Sequence, residues 1–229
     1  MNDLTLIIPA KNESESLPQV IDSLKNLDCK IKVSLKIDDK ATIDSIKDKN
    51  IEIFYQSGSG YGNSLKEAIN DCKTKYFCIF NADGSFEHND LFKMYQHIKE
   101  NDFIYTSRYE QPGGSDDDTI ITFIGNKFFS KLGNILFSLN ITDILYTYLM
   151  GKTSSHKSLN IQSNDFRYCV ELPIKMQLAK MRYQYFPSYE KKRIAGKKKV
   201  NAFKDGFLIL IEILKLFFKY KVFRNKVIN

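Results

Sequence analysis

Residues 79–86 read IFNADGSF, an apolar run ending in a tight polar turn that holds one carboxylate, Asp83. A lone Asp in such a turn often does no more than bond its own backbone. Its companions widen the choice: a second apolar run ends at Asp38 and Asp39, and a third leads into Gly58, Gly60 and Gly62. A diphosphate needs a hard divalent cation on oxygen ligands, and few of these need be protein carboxylates because phosphate and water oxygens complete the octahedron. Asp83 suits that task. Asn81 offers a neutral amide oxygen, or a hydrogen bond behind the carboxylate, but no charge. Asp38 and Asp39 can accept from base N–H groups or ribose hydroxyls, as acids do in other nucleotide folds. The glycines let the backbone approach closely ahead of a helix whose N-terminus favours negative charge. Alone, GSGYG is a weak sign, because it lacks the first-strand position and spacing of a dinucleotide fingerprint.

The elements that must position these groups follow from hydrophobic pattern. Apolar runs rich in β-branched and aromatic residues cover Leu4 to Pro9, Ile31 to Ile37, Ile51 to Tyr55, Tyr76 to Phe80 and Phe103 to Thr106. Helical segments fall between them, at Ser14 to Leu27, Gly62 to Asp71 and Asp90 to Glu100. Strands alternating with helices predict an α/β fold with a mostly parallel central sheet and helices on both faces. Ligands of such sheets sit at the carboxyl ends of the strands. The polar clusters KNE, DDKATID, QSGSGYG and NADGS all fall there. The second half is looser. A turn-rich loop, YEQPGGSDDDT, precedes helices at Phe123 to Leu139 and Phe166 to Lys180, a strand at Tyr183 to Phe186, a basic loop and a last helix.

The chain has 229 residues, 43% of them hydrophobic, which is ample for a packed core, and a formal charge of +7. Much of the excess lies in EKKRIAGKKKVNAFK, where basic side chains favour phosphates or anionic lipid if they are more than a solvated surface. The four cysteines show no CxxC spacing and the three histidines no HxxxH pair, which argues against zinc and for reduced thiols. The start, LTLIIPA, lacks the charged leader of a secretory signal, and no apolar stretch approaches the roughly 18 to 20 residues of a membrane span. The expectation is a cytoplasmic protein. Nucleic-acid binding is disfavoured, since the acids cluster where a phosphate backbone would repel them.

The last helix, wound at about 100° per residue, gathers Lys204, Asp205, Glu212, Lys215 and Lys219 into one stripe. Apolar side chains fill nearly all the rest. That arc exceeds what packing on one domain requires, and two readings explain it: burial against a neighbouring subunit, or an amphipathic helix at the bilayer interface.

In order, IIPAKNE, DD, the GxGxG-type loop and NADGS resemble the family 2 glycosyltransferases of GT-A fold, and specifically their dolichyl-phosphate mannose synthase-like branch. TSRY, FIGNKFF, ITD, DFRYCVELPIK and YEKKRIAGKKK extend the resemblance over roughly residues 4–200. It implies a GT-A domain at 1–200; residues 201–229 are left as the amphipathic C-terminal helix and tail, at the membrane surface under the second of the two readings above. Pro9, Ala10, Asn12 and Glu13 would line the nucleotide pocket, with Asp38 or Asp39 near base and ribose and Gly58, Gly60 and Ala82 beside the donor. Asp83, assisted by Asn81, would hold Mg²⁺ or Mn²⁺. Arg108, Arg193, Lys197 and Lys199 would face the phosphates of donor and acceptor.

Three departures stand out. The usual DxD reads NAD, DDKATID carries one extra residue before Asp44, and an arginine usual before the GN helix is missing. They leave a non-catalytic relative that only binds nucleotide-sugar as an alternative. The implied reaction moves a sugar, with inversion, from a GDP- or UDP-sugar to a polyprenyl phosphate on the inner face of a membrane, with a homo-oligomer or membrane-protein partner as an added expectation. A hydroxyl acceptor would instead need a base, for which Asp116, Asp117, Asp118 and Glu171 are the candidates.

Overall fold

In the computed structural model, the five apolar runs and the expected strand at Tyr183 to Phe186 all become strands of one seven-stranded sheet. The structure describes residues 1–196, 198–224 and 227. In chain order the elements are β1 (Leu4–Pro9), α1 (Leu17–Leu24), β2 (Lys30–Leu35), α2 (Lys40–Ile46), β3 (Glu52–Tyr55), α3 (Tyr61–Asp71), β4 (Tyr76–Ile79) and α4 (Asp90–His97). There follow β5 (Phe103–Ser107), β6 (Gly114–Ser115), α5 (Ile120–Phe137), β7 (Leu149–Lys152), α6 (Thr153–Ser158), α7 (Tyr168–Leu178), β8 (Tyr183–Pro187), β9 (Tyr189–Glu190) and α8 (Ala202–Phe217).

The strand order is β3-β2-β1-β4-β7-β5-β8, with β6 and β9 forming a separate small ribbon. β1 pairs in parallel with both β2 and β4, so the chain reverses its direction of travel across the sheet at β1. Such a switch opens a crevice at the carboxyl ends of the strands. β7 runs antiparallel between β4 and β5, which makes the sheet mixed at its centre.

Period-two alternation divides the core. Ile7, Phe77, Ile79, Phe103 and Tyr105 face the layer of α3, α5, α7 and α8. Leu6, Ile8, Cys78, Ile104 and Met150 face α1 and α4. Both faces are covered, as expected of strands that read as continuous apolar runs.

The last helix divides its wide apolar arc. Ile209, Ile213 and Leu216 are buried in the same cluster as the sheet, while Phe203, Phe207 and Phe218 stay exposed. Glu212, expected in the outer polar stripe, is 2% exposed and turned inward instead. Its carboxylate meets Arg167 at 3.7 Å and Lys215 at 3.1 Å, and these pairings permit the burial.

Candidate active site

A cavity of about 760 Å³ opens at the carboxyl ends of β1 to β4, within the range of small-molecule sites. Pro9, Ala10, Asn12, Glu13, Asp38, Asp39, Gly60, Asn81, Ala82, Asp83, Arg108, Arg193 and Lys199 all line it. Gly58 does not, because it sits against the Asn63 side chain, whose Oδ1 would be 2.7 Å from any added Cβ. Lys197 lies outside the described residues.

The nucleotide side is built by loops that bond to each other. Asp39 caps α2 through Thr42 N–H at 3.4 Å and accepts the Asn12 amide at 2.7 Å, with Asn12 held at φ 53°. This clamp fixes the β1 loop to the β2 loop and occupies both oxygens of Asp39. Asp38 is exposed and lines the cavity. Glu13 is buried, receives the Ser16 hydroxyl at 3.0 Å and pairs with Lys199.

The glycine loop differs from expectation. Gly60 has φ 107°, and a Cβ there would stand 2.2 Å from the Asn164 carbonyl. A Cβ at Gly62 would stand 2.5 Å from the Ser163 carbonyl. The Asn63 N–H donates to the Asn164 carbonyl at 2.9 Å. The room that the glycines leave at these two positions is thus filled by residues 163–165 of the same chain, and one amide of the α3 N-terminus is already bonded.

Asp83 sits in an Asx turn, its Oδ1 accepting from Ser85 N–H at 3.0 Å and its Oδ2 lying 3.5 Å from Arg193 Nη1. The basic loop is latched to this turn. Lys191 N–H donates to the Ser85 carbonyl and Ile194 N–H to the Asp83 carbonyl, both at 2.8 Å. Gly84, at φ 80°, leaves the space that the Ile194 side chain fills. Arg193 also bonds Asp117 at 2.7 Å, and Lys198 approaches Asp117 at 3.3 Å. Burial pushes the Asp117 carboxyl up, but Arg193 and Lys198 outweigh it and hold it below the usual carboxylate range.

Among the described residues no three His, Cys, Asp or Glu side chains gather into a metal cluster. The donor set at the turn still fits a hard cation: Asp83 supplies a carboxylate and Asn81 an amide oxygen, leaving most positions to diphosphate and water.

Arg108 requires a correction. It lines the cavity, yet Asp143 holds it bidentately at 2.8 and 2.9 Å and Glu190 takes Nη1 at 2.9 Å. Tyr146 lies under the guanidinium, 4.6 Å from ring centroid to Cζ. Its charge is spent on joining the end of β5 to β9 and to residue 143, so it does not stand ready for phosphate. The ITD and YEKK motifs contained both partners, but nothing in the sequence paired them with Arg108.

The candidate bases separate as well. Glu171 is buried, pairs with Lys175 at 2.7 Å and accepts the amides of Gln162 and Ser163, so it organises the 162–165 loop. Asp117 and Asp118 reach the cavity and Asp116 does not. Cys169 also lines it, and burial pushes that thiol up to about 12, which leaves it uncharged and a poor nucleophile. Sequence reasoning missed Tyr61, whose hydroxyl bonds Thr147 at 2.6 Å and whose ring stacks on Phe166 at 5.1 Å. No short-range signal joins those residues.

A doubly covered, mostly parallel sheet with nucleotide-type loops and an acid-bearing turn at its switch point defines the GT-A class of glycosyltransferase folds. The chain belongs to Glycosyl transferase family 2, whose model matches residues 5–159. It is similar to glycosyltransferase AglJ of Haloferax volcanii, with 23% identity over 219 residues, 92% of this chain and 70% of that protein. Its fold is similar to mannosyl-3-phosphoglycerate synthase from Rubrobacter xylanophilus, with TM-score 0.71, 12% identity, and 95% and 74% of the two chains covered. Glucosyl-3-phosphoglycerate synthase from Mycobacterium tuberculosis, in complex with Mn²⁺, UDP and glucosyl-3-phosphoglycerate, aligns with TM-score 0.69 at 12% identity, covering 93% and 79%.

Proposed function

We propose that the protein is an inverting transferase of the dolichyl-phosphate mannose synthase-like branch. It moves a sugar from a GDP- or UDP-sugar to a polyprenyl phosphate at the cytosolic face of a membrane. The observation that carries the reading is the latch of the basic loop onto the Asn81–Ser85 turn. It places Arg193 beside Asp83 and Asp117, and Lys199 beside Glu13, at one wall of the cavity. Among the described residues these cations pair with Asp83, Asp117 and Glu13, acids that themselves line the pocket, so an incoming diphosphate or lipid phosphate can exchange with them.

Asp83 and Asn81 would hold Mg²⁺ or Mn²⁺, which supplies neutralisation of the charge that grows on the departing diphosphate. Arg193 and Lys199 add fixed positive charge on the same side. Asp38 binds ribose or base, and the Asp39 clamp keeps the two nucleotide loops in register. An acceptor phosphate is already anionic and attacks the anomeric carbon from the face opposite the leaving group without a general base. Asp117, held low by its cationic partners, is a weak base, which further favours an acceptor that needs none. Arg108 positions the β5 end rather than touching substrate.

A second reading has its own support. The structural neighbours named above are mannosyl- and glucosyl-3-phosphoglycerate synthases, and the same cations suit a small phosphorylated acceptor. One experiment separates them: titrate GDP- and UDP-sugars with and without Mn²⁺, then assay transfer to polyprenyl phosphate and to 3-phosphoglycerate. Metal-dependent donor binding with transfer to the lipid is expected. Transfer to 3-phosphoglycerate alone would replace the acceptor assignment, and no donor binding under any condition would remove the transferase reading.

A further inference from the structure

One corner of the cavity, lined by Tyr61, Leu145, Thr147, Phe166 and Cys169, plays no part in the reading above. The sheet fixes where it lies. β7 pairs antiparallel with β4, Met150 opposite Cys78, and the rings of Phe80 and Tyr148 meet edge to face at 5.6 Å. Continued past Phe80, the same register sets Thr147 opposite Asn81 and Leu145 opposite Asp83. β7 flanks β4 on the side away from β1 and β2. A nucleotide diphospho-sugar with its nucleoside on the β1 and β2 loops and its diphosphate at Asp83 therefore presents its sugar to this corner.

The glycine loop builds the corner. Gly60 and Gly62 lie so close to the Asn164 and Ser163 carbonyls that no side chain fits at either, and the Asn63 N–H closes the seam on the Asn164 carbonyl at 2.9 Å. Tyr61 stands between the two glycines and is thereby laid on Phe166, the rings stacked at 5.1 Å and inclined by 22°. Its hydroxyl meets Thr147 Oγ1 at 2.6 Å. Cys169, buried at the start of α7, adds an uncharged sulfur that behaves as a small apolar group.

The corner thus joins two kinds of surface. Leu145, Phe166 and Cys169 are apolar or aromatic. Tyr61 and Thr147 form a hydroxyl pair in which only one of two protons is used, so the pair still has a proton to donate and lone pairs to accept. Burial pushes the Tyr61 phenol up, which keeps it a neutral donor. The other polar side chains near β7 are committed within the chain, Asn126 to Asp143 and Arg108 to Asp143 and Glu190. A sugar hydroxyl would satisfy the hydroxyl pair and leave the apolar wall unfilled. An acetamido group satisfies both, since it carries a methyl beside an N–H and a carbonyl.

We infer that the donor is a nucleotide-linked acetamido sugar, its methyl against Leu145, Phe166 and Cys169 and its amide on the Tyr61–Thr147 hydroxyl pair. Tyr61 and Thr147 are then specificity-determining residues. The inference rests on the transferase reading and names the sugar class within it.

The test is calorimetry on the full chain with Mn²⁺, titrating UDP, UDP-glucose, UDP-N-acetylglucosamine and GDP-mannose. The two UDP-sugars differ only in the substituent at C2. UDP-N-acetylglucosamine is expected to bind about tenfold or more tighter than UDP-glucose and GDP-mannose. The double variant Tyr61→Phe/Thr147→Val keeps the ring stack and the shape but removes both hydroxyls together, an exchange that costs little stability. It should cut the preference between the two UDP-sugars by about fivefold or more, while UDP, which has no sugar, binds as to the wild type and shows that the variant folds. UDP-glucose or GDP-mannose binding as tightly as UDP-N-acetylglucosamine overturns the inference and leaves the transferase reading in place. So does an undiminished preference in a double variant that still binds UDP. Should that variant fail to fold, the wild-type series alone decides. Binding of none of the four ligands removes the transferase reading itself.

Discussion

Arg108 and Arg193 line the same cavity, and they do opposite things. Arg108 is enclosed by Asp143, Glu190 and two tyrosine rings, so every nitrogen of its fork is committed to the chain. Arg193 rides on an irregular loop and shares Asp83 and Asp117, two acids that face the same space. The first closes a fold. The second, under the proposed function, holds charge where a ligand can take it. An arginine in a pocket is thus defined by what its partners would otherwise do, and only the structure supplies the partners.

That contrast breaks most sharply at Arg108. Replacing it with Met leaves Asp143 and Glu190 as unpaired buried acids, and stability measured by urea denaturation should fall by about 3–5 kcal/mol. A loss under 1 kcal/mol would put Arg108 in the same class as Arg193. Next is the turn under the basic loop: Asp83→Ala should lower transfer by about a hundred- to a thousandfold and abolish any Mn²⁺ dependence of donor binding seen by calorimetry, while the melting curve stays close to wild type.

Arg193→Ala sharpens the comparison from the other side. Transfer should drop about ten- to a hundredfold while stability changes by no more than about 1 kcal/mol, the reverse of the Arg108 pattern. The smallest effect concerns acid. Asp117 in the folded chain is held below its ordinary value, so its pairing stabilises fully above the unfolded carboxylate pKa of about 3.9 and is lost as pH falls through the lower folded value. The stability difference between wild type and Arg193→Ala should therefore be constant from pH 7 down to roughly pH 4, then close below it. Denaturation midpoints from pH 3 to 7 would reveal any other course.

The same contrast explains what could be seen in the sequence. Strands announce themselves locally: LTLIIP and FIYTS were legible because burial on both faces demands nearly unbroken apolar runs, and YQYFP, an edge strand with no fully buried position, by its aromatic residues. The Asn81–Ser85 turn and the acids at 38 and 39 were legible because strand ends dictate where polar residues gather. β7 was not, since LMGK is four residues long, contains glycine and owes its strand state to the slot between β4 and β5. α2 was read as loop, being seven residues that start at an Asp cap bonded also to Asn12. The fate of Arg108 depended on partners 35 and 82 residues away, and the glycines at 60 and 62 on a carbonyl-bearing segment a hundred residues on. Those distances lie beyond any spacing rule.

The antiparallel β7 also sets a timetable for synthesis. β5 touches only β7 and β8 in the sheet, and both are made after it. The four-stranded half β3-β2-β1-β4 can pair as soon as residue 79 has emerged, whereas FIYTS, buried at all five positions in the finished chain, waits for residues 149–152. At about 5–20 residues per second that wait is roughly 2–9 s, during which a strand with two open edges is exposed to other nascent chains and to chaperones.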